Sequence, residues 1–218
     1  MLTYLFKNYN IQRNIKVNPD DFFEDILRLL QIIKYHHYPT HQHSLNVCKL
    51  CFMLAKSLGL TQKEIFVISL GGLLHDLGKI IINPAVLNRS SKLLEGEWRL
   101  IKKHPFVCAD FLLRFPWGQR IANIVLYHHE RIDGGGYIGL KGDKIPFGAK
   151  IITIADAFDA MFSYRAYSLP KSIDTCIDEI IRNSGTQFEP ELIKPFLLVL
   201  KEQYKETNNT PCELIAYN

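Results

Sequence analysis

Apolar residues return at three- and four-residue intervals along most of this chain, and no segment alternates with period two for long enough to make a sheet strand. Helices are therefore predicted throughout. Asn18-Pro19-Asp20-Asp21 reads as a helix start, with Asn as cap, Pro at the first helical position and acids where the helix dipole favours them. That helix runs to about His36 and carries Phe22, Phe23, Ile26, Leu27 and Leu30 as an apolar face. Tyr38-Pro39 interrupts it, because a residue before proline is pushed out of the α region, and Thr40 is placed to cap the next helix. The second helix sets His43, Val47, Leu50, Cys51 and Leu54 on one face and stops near Gly59. Thr61-Gln62-Lys63-Glu64 is a capping box that opens a third, which carries Ile65, Ile68 and Gly72 toward His75. Further helical patterns cover 94–103, 105–114, 118–129, 147–163, 171–182 and 189–206. The β-branched run at 151–154 invites a strand, but Ile151, Ile154, Ala155, Phe158 and Met161 repeat at the helical period, so it reads as helix. Residues 130–146, with Gly134, Gly135, Gly136, Gly139 and Gly142, resist helix, and a glycine-rich loop of this length inside a domain is a place for function.

Composition narrows the class without naming a function. The net charge is +4, the hydrophobic fraction 47% and the charged fraction 22%, which excludes a disordered chain and gives no sign of a DNA-binding tail. The most apolar stretch, 65–74, contains Ser69, Gly71 and Gly72 and ends at His75-Asp76, short of the roughly 20 residues that cross a bilayer. The start, MLTYLFKNYNIQRN, has neither a positive leader nor a continuous apolar core, and five cysteines without framework spacing fit a reducing compartment. A cytoplasmic protein is expected. Cys48 and Cys51 form a CxxC, but inside a helical pattern, so they read as helix residues and not as a redox pair. The expected organisation is a helical segment over 1–39, one main domain over 40–206 and a tail over 207–218.

Five of the eight histidines fall in an ordered series: His43, His75 followed by Asp76, His104, the doublet His128-His129, and then Asp156. Imidazoles mixed with carboxylates suit borderline transition metals, whereas magnesium or calcium prefers oxygen alone. Five histidines and two aspartates can serve two metals if one aspartate bridges. Taken singly, each has another reading: His43 as a core histidine, His104 before Pro105 as a helix end, His128-His129-Glu130 as a solvated terminus, Asp156 as a buried acid with a basic partner. Only the ordered combination points to a site.

HDLGK at 75–79, KKHP at 102–105, HHERIDGGGYIGLKGDKIP at 128–146, ADAFDA at 155–160 and RAY at 165–167 together resemble the signature of HD-GYP phosphodiesterases, a branch of the HD metal-dependent phosphohydrolases, over residues 40–200. The resemblance implies an all-α fold, a single HD-type helical bundle with a short N-terminal helical segment. It implies two divalent transition metals, iron or manganese, and hydrolysis of cyclic di-GMP to linear pGpG, with GMP as a further product left open, by a hydroxide bridging the metals. Residue by residue, His43, His75, Asp76, His104, His128, His129 and Asp156 match the metal ligands, with Asp76 bridging. Lys79 matches a lysine that approaches substrate phosphate, so Asp76 and Lys79 are the expected catalytic residues, and Lys79, Asp133, Gly134, Gly136, Tyr137 and Arg165 the expected substrate-binding set. Where some members place a glutamate for a third metal, this chain has Pro39, so two are expected.

Two departures stand out. The signature tripeptide reads Gly136-Tyr137-Ile138, and without proline the loop loses one fixed φ. Ser168 and Leu169 stand where basic residues often follow Tyr167, leaving Lys171 as a candidate replacement. Competing readings are hydrolysis of another cyclic dinucleotide or nucleotide, and a non-catalytic module that binds cyclic di-GMP or a signalling protein. The expected partners are cyclic di-GMP and, through the glycine-rich loop, a diguanylate cyclase or other signalling protein. The apolar face of the first helix packs on its own core or, alternatively, forms a homodimer.

Overall fold

The computed structural model describes residues 18–164 and 169–204. Arg165, Tyr167 and the expected tail lie outside the described residues. Those described form an all-α structure, as expected, with an isolated bridge between Ser184 and Phe188. In chain order the helices are α1 (Pro19–His36), α2 (Tyr38–Ser57), α3 (Gln62–Leu74), α4 (Pro84–Leu87), α5 (Glu95–Lys102), α6 (His104–Leu112), α7 (Gln119–Val125), α8 (Phe147–Phe162), α9 (Ile173–Arg182) and α10 (Pro190–Gln203). A 3-10 turn at Leu77–Ile81 follows α3, and a second at Gly142–Lys144 closes the glycine-rich loop. No described helix is long and apolar enough to cross a membrane.

The central packing is α2 against α3, with α8 laid across both, and the core runs through Val47, Cys51, Leu54, Leu73, Leu74, Ile151, Ile154 and Phe158. The run at 151–154 is buried within α8, so helical periodicity wins over β-branching there. α1 starts as expected, with Asn18 capping Asp20, and it docks on this same core. Phe22 meets Trp117 edge-on at 5.2 Å, and the Trp117 indole donates to Asp25 at 3.1 Å. α2 begins earlier than expected. His37 and not Thr40 is its cap: the His37 Nδ1 accepts from the Thr40 backbone N–H, and Pro39 fits the first turn, where no N–H is needed. Cys48 and Cys51 are fully buried free thiols of α2, and burial pushes Cys48 up to about 12, so neither is poised for redox exchange.

One close approach brings two halves of the site together. The 3-10 turn after α3 packs on the start of α6, and a Cβ on Gly78 would lie 2.0 Å from the His104 carbonyl oxygen and 2.9 Å from the Cys108 nitrogen. Both neighbours are backbone and cannot rotate away. Only glycine lets the His75-Asp76 corner sit against His104. Gly78→Ala is expected to cost about 3 kcal/mol or more, the upper range for overpacking, measured by urea unfolding; a loss below 1 kcal/mol would show that the turn relaxes freely.

Candidate metal centre

Three histidines occupy the same local position. α3, α5 and α7 are each followed within three residues by a histidine whose ring turns back onto the last carbonyls of the helix. His75 Nδ1 lies 2.8 Å from the Gly72 carbonyl, His104 Nδ1 2.7 Å from that of Ile101, and His128 Nδ1 2.6 Å from that of Val125. A carbonyl can only accept, so each Nδ1 carries the proton and each Nε2 carries a lone pair. These carbonyls are the ones a helix leaves unpaired at its end. The same constraint explains why α7 stops at Val125 and not at 129 as its periodicity predicts: His128 and His129 lie in a turn, and His128 satisfies the terminal carbonyl. His43, on the buried face of α2, is held between two carboxylates, with Nδ1 2.6 Å from Asp159 Oδ2 and Nε2 2.9 Å from Asp156 Oδ1.

The Nε2 atoms converge. His104 Nε2 and His128 Nε2 are 3.3 Å apart, His43 Nε2 is 2.9 Å from Asp156 Oδ1, and His75 Nε2 is 3.5 Å from Asp76 Oδ2. Asp76 faces both sides, with Oδ1 3.3 Å from His104 Nε2 and Oδ2 3.8 Å from His43 Nε2. His129 Nδ1 is 4.0 Å from Asp156 Oδ2. The structure thus brings His43, His75, Asp76, His104, His128, His129 and Asp156 into one cluster. Three overlapping triads within it could hold a metal ion: His104-His128-His129, His43-His75-Asp76 and His75-His128-Asp156.

The cluster leaves buried polar atoms unmatched. Burial, the leading cause, pulls His104 and His128 down to about 3, so both imidazoles are neutral near pH 7. With Nδ1 protonated on each, the contact at 3.3 Å sets lone pair against lone pair. His75 Nε2 and Asp76 Oδ1 are buried without a hydrogen-bond partner, a state that costs about 1–3 kcal/mol for each group. A carboxylate against lone pairs, in a buried pocket of imidazoles, fits a divalent transition metal. Burial also opposes ionisation of Asp76. The Lys79 ammonium, 2.6 Å from Oδ2, leads the neighbours that overcome it and hold this carboxyl well below its usual range.

The expected substrate-binding residues divide. Lys79 stands at the cluster, paired with Asp76. Tyr137 packs on His129 with ring centroids 4.6 Å apart and the planes tilted by 37°. Asp133 turns to its own loop, accepting from Arg131 Nη2 at 2.7 Å and from the Gly135 nitrogen at 2.8 Å. Gly134 provides a left-handed φ of 84°, and Gly136 lies so close to the His129-Glu130 backbone that a Cβ would sit 2.5 Å from Glu130 Cα. Ile138 does more than drop a fixed φ. Its N–H donates to Glu130 Oε1 at 2.7 Å, a bond proline cannot make.

Three participants escape the sequence reading. Asp159 lies within ADAFDA, one turn after Asp156, and that spacing was its only signal. Glu130, next to the histidine doublet, binds the loop instead of solvent. Lys102 of KKHP places its ammonium 5.6 Å from the Tyr137 ring and 5.7 Å from that of Trp98. A cavity of about 280 Å³ adjoins the cluster, with His129, Asp156, Tyr137, Thr153, Arg131 and Gln187 in its wall.

A family model described as HD domain matches residues 28–192. The chain belongs to the HD domain family. This HD domain is 36% identical over 187 residues to a cyclic di-GMP phosphodiesterase of Thermotoga maritima, covering 84% of this chain and 51% of that protein. It is 31% identical to a 3′3′-cGAMP-specific phosphodiesterase of Vibrio cholerae, covering 88% of this chain and 37% of that protein. The chain therefore spans about half of one of these curated relatives and less of the other. Among solved structures, Bd1817, an HDG"Y"P protein from Bdellovibrio bacteriovorus, superposes with a TM-score of 0.62 at 26% identity, over 74% of this chain and 52% of that one. The resemblance to the HD-GYP branch and the all-α HD fold hold.

In this HD domain the neutral state of His104 and His128 carries a pH dependence. Their folded pKa values lie below the ordinary 6.5, so the unfolded chain binds more protons as the pH falls, and stability falls with it. From pH 7.5 to 5.5 the metal-free protein is expected to lose about 3 kcal/mol from this pair, measured by urea unfolding across the range; a flat profile would mean that the two rings take up protons in the fold.

Proposed function

We propose that the chain is a metal-dependent phosphodiesterase that hydrolyses cyclic di-GMP to linear pGpG. His43, His75, Asp76, His104, His128, His129 and Asp156 would hold two divalent transition metals, iron or manganese. The observation that carries this reading is the convergence of buried imidazole Nε2 atoms on the Asp76 and Asp156 carboxylates. When bound, two such metals activate water and neutralise phosphoryl charge. Asp76 is suited to bridge them because its two oxygens face different imidazoles. Lys79, partly exposed beside Asp76, supplies a cation for a phosphoryl oxygen as charge develops on it. Water is the nucleophile in this reading. The four described cysteines are buried, and burial pushes the thiols of Cys48 and Cys108 up to about 12, which leaves them unfit for attack.

The relatives favour a cyclic dinucleotide and offer two: one is named for cyclic di-GMP and another for 3′3′-cGAMP, which makes the hybrid the second reading of substrate. A cytoplasmic setting and a signalling partner at the glycine-rich loop belong to the same reading. The test is turnover of both dinucleotides by metal-loaded protein, with products separated by chromatography. Linear dinucleotide is expected from cyclic di-GMP, and Asp76→Ala is expected to lower turnover by about a thousandfold or more while far-UV circular dichroism stays unchanged. Absence of turnover on both substrates would overturn the reading; turnover of the hybrid alone would shift it to the second.

A further inference from the structure

We infer that Glu130 is a positioning residue: it clamps the glycine-rich loop so that Tyr137 stays seated on His129 and walls the cavity that receives substrate. This rests on the phosphodiesterase reading above. Glu130 is only 2% exposed and directly follows the His128-His129 doublet. Its carboxylate collects three backbone donors from across the loop. Ile138 N–H reaches Oε1 at 2.7 Å, and Gly139 and Leu140 N–H reach Oε2 at 2.7 and 2.6 Å. Successive backbone N–H groups that curl together form a cradle for an anion, and bonds to a charged acceptor are about twice as strong as neutral ones. The loop makes such a cradle and fills it with its own side chain.

Tyr137 is caught between two anchors. On one side Gly136 presses on the backbone, where a Cβ would lie 2.7 Å from the His129 oxygen; on the other Ile138 is tied to Glu130. The ring between them packs on His129 at 4.6 Å, with Lys102 lying 5.6 Å from the ring centroid. Tyr137, His129 and Asp156 share the wall of the same cavity, so the loop's position sets the shape that a substrate meets. A carboxylate held by three donors serves the loop and not proton transfer. Its loss is expected to weaken substrate binding more than it slows the chemical step.

The experiment compares wild type, Glu130→Ala, Glu130→Gln and Ile138→Pro as metal-loaded protein with cyclic di-GMP. Four quantities are read: amide hydrogen exchange at 138–140, bound metal, kcat and KM. Glu130→Ala is expected to speed exchange at those amides about a hundredfold, leave metal content unchanged and raise KM about tenfold with kcat within about threefold. Glu130→Gln is expected between the two, and Ile138→Pro, which removes one of three donors, to raise KM about threefold. Unchanged KM despite faster exchange would overturn the positioning role, as would a fall in kcat at constant KM. If Glu130→Ala does not fold, Ile138→Pro decides, since Ile138 is itself exposed. A wild type without turnover would overturn the phosphodiesterase reading instead, while the exchange data would still report whether the clamp exists.

Discussion

Everything at this centre depends on where four imidazole protons sit. His75, His104 and His128 give their Nδ1 protons to carbonyls at helix ends, and His43 gives its own to Asp159. The Nε2 of each of the three helix-end histidines is then a lone pair aimed inward, and that of His43 faces Asp156. Burial keeps His104 and His128 neutral, so they cannot relieve the crowding by taking up protons near pH 7. Such a set of lone pairs around two carboxylates suits a divalent transition metal. The orienting bonds to carbonyls and to a carboxylate are the outer partners that fix ligand direction in metal sites.

The helical scaffold makes this arrangement economical. A helix end must dispose of unpaired carbonyls, and a histidine placed just beyond it does so while pointing its far nitrogen away. Three helix ends and one buried helix face suffice, and the rest of the bundle holds them in register. Gly78 lets the α3 corner touch α6, and α8 contributes Asp156 and Asp159 one turn apart. The glycine-rich loop then folds over His129 through Tyr137. Rigid elements thus hold the centre, while the loop that covers it is fixed by a few polar contacts around Glu130.

Much of this was legible in the chain, for physical reasons. Helical periodicity placed His43 on the face of Val47 and Leu54, and a buried face must look inward. The Thr61-Glu64 capping box and the Asn18-Pro19 start are local and were readable without the fold. What stayed hidden was long-range or backbone-borne. Asp159 meets His43 across 116 positions, and its place one turn after Asp156 was the only local hint of the pairing. The three donors to Glu130 are main-chain N–H groups, which every non-proline residue owns, so only loop shape could reveal them. The stop of α7 at Val125 was missed because periodicity counts apolar faces and is blind to a side chain that takes over a terminal carbonyl.

The claim that the inward lone pairs exist to hold metal is tested most directly by metal content. Protein prepared anaerobically, reconstituted with iron or manganese and passed through a desalting column should retain two equivalents per chain by elemental analysis. Retention of substantially less than one equivalent of either metal would contradict the account.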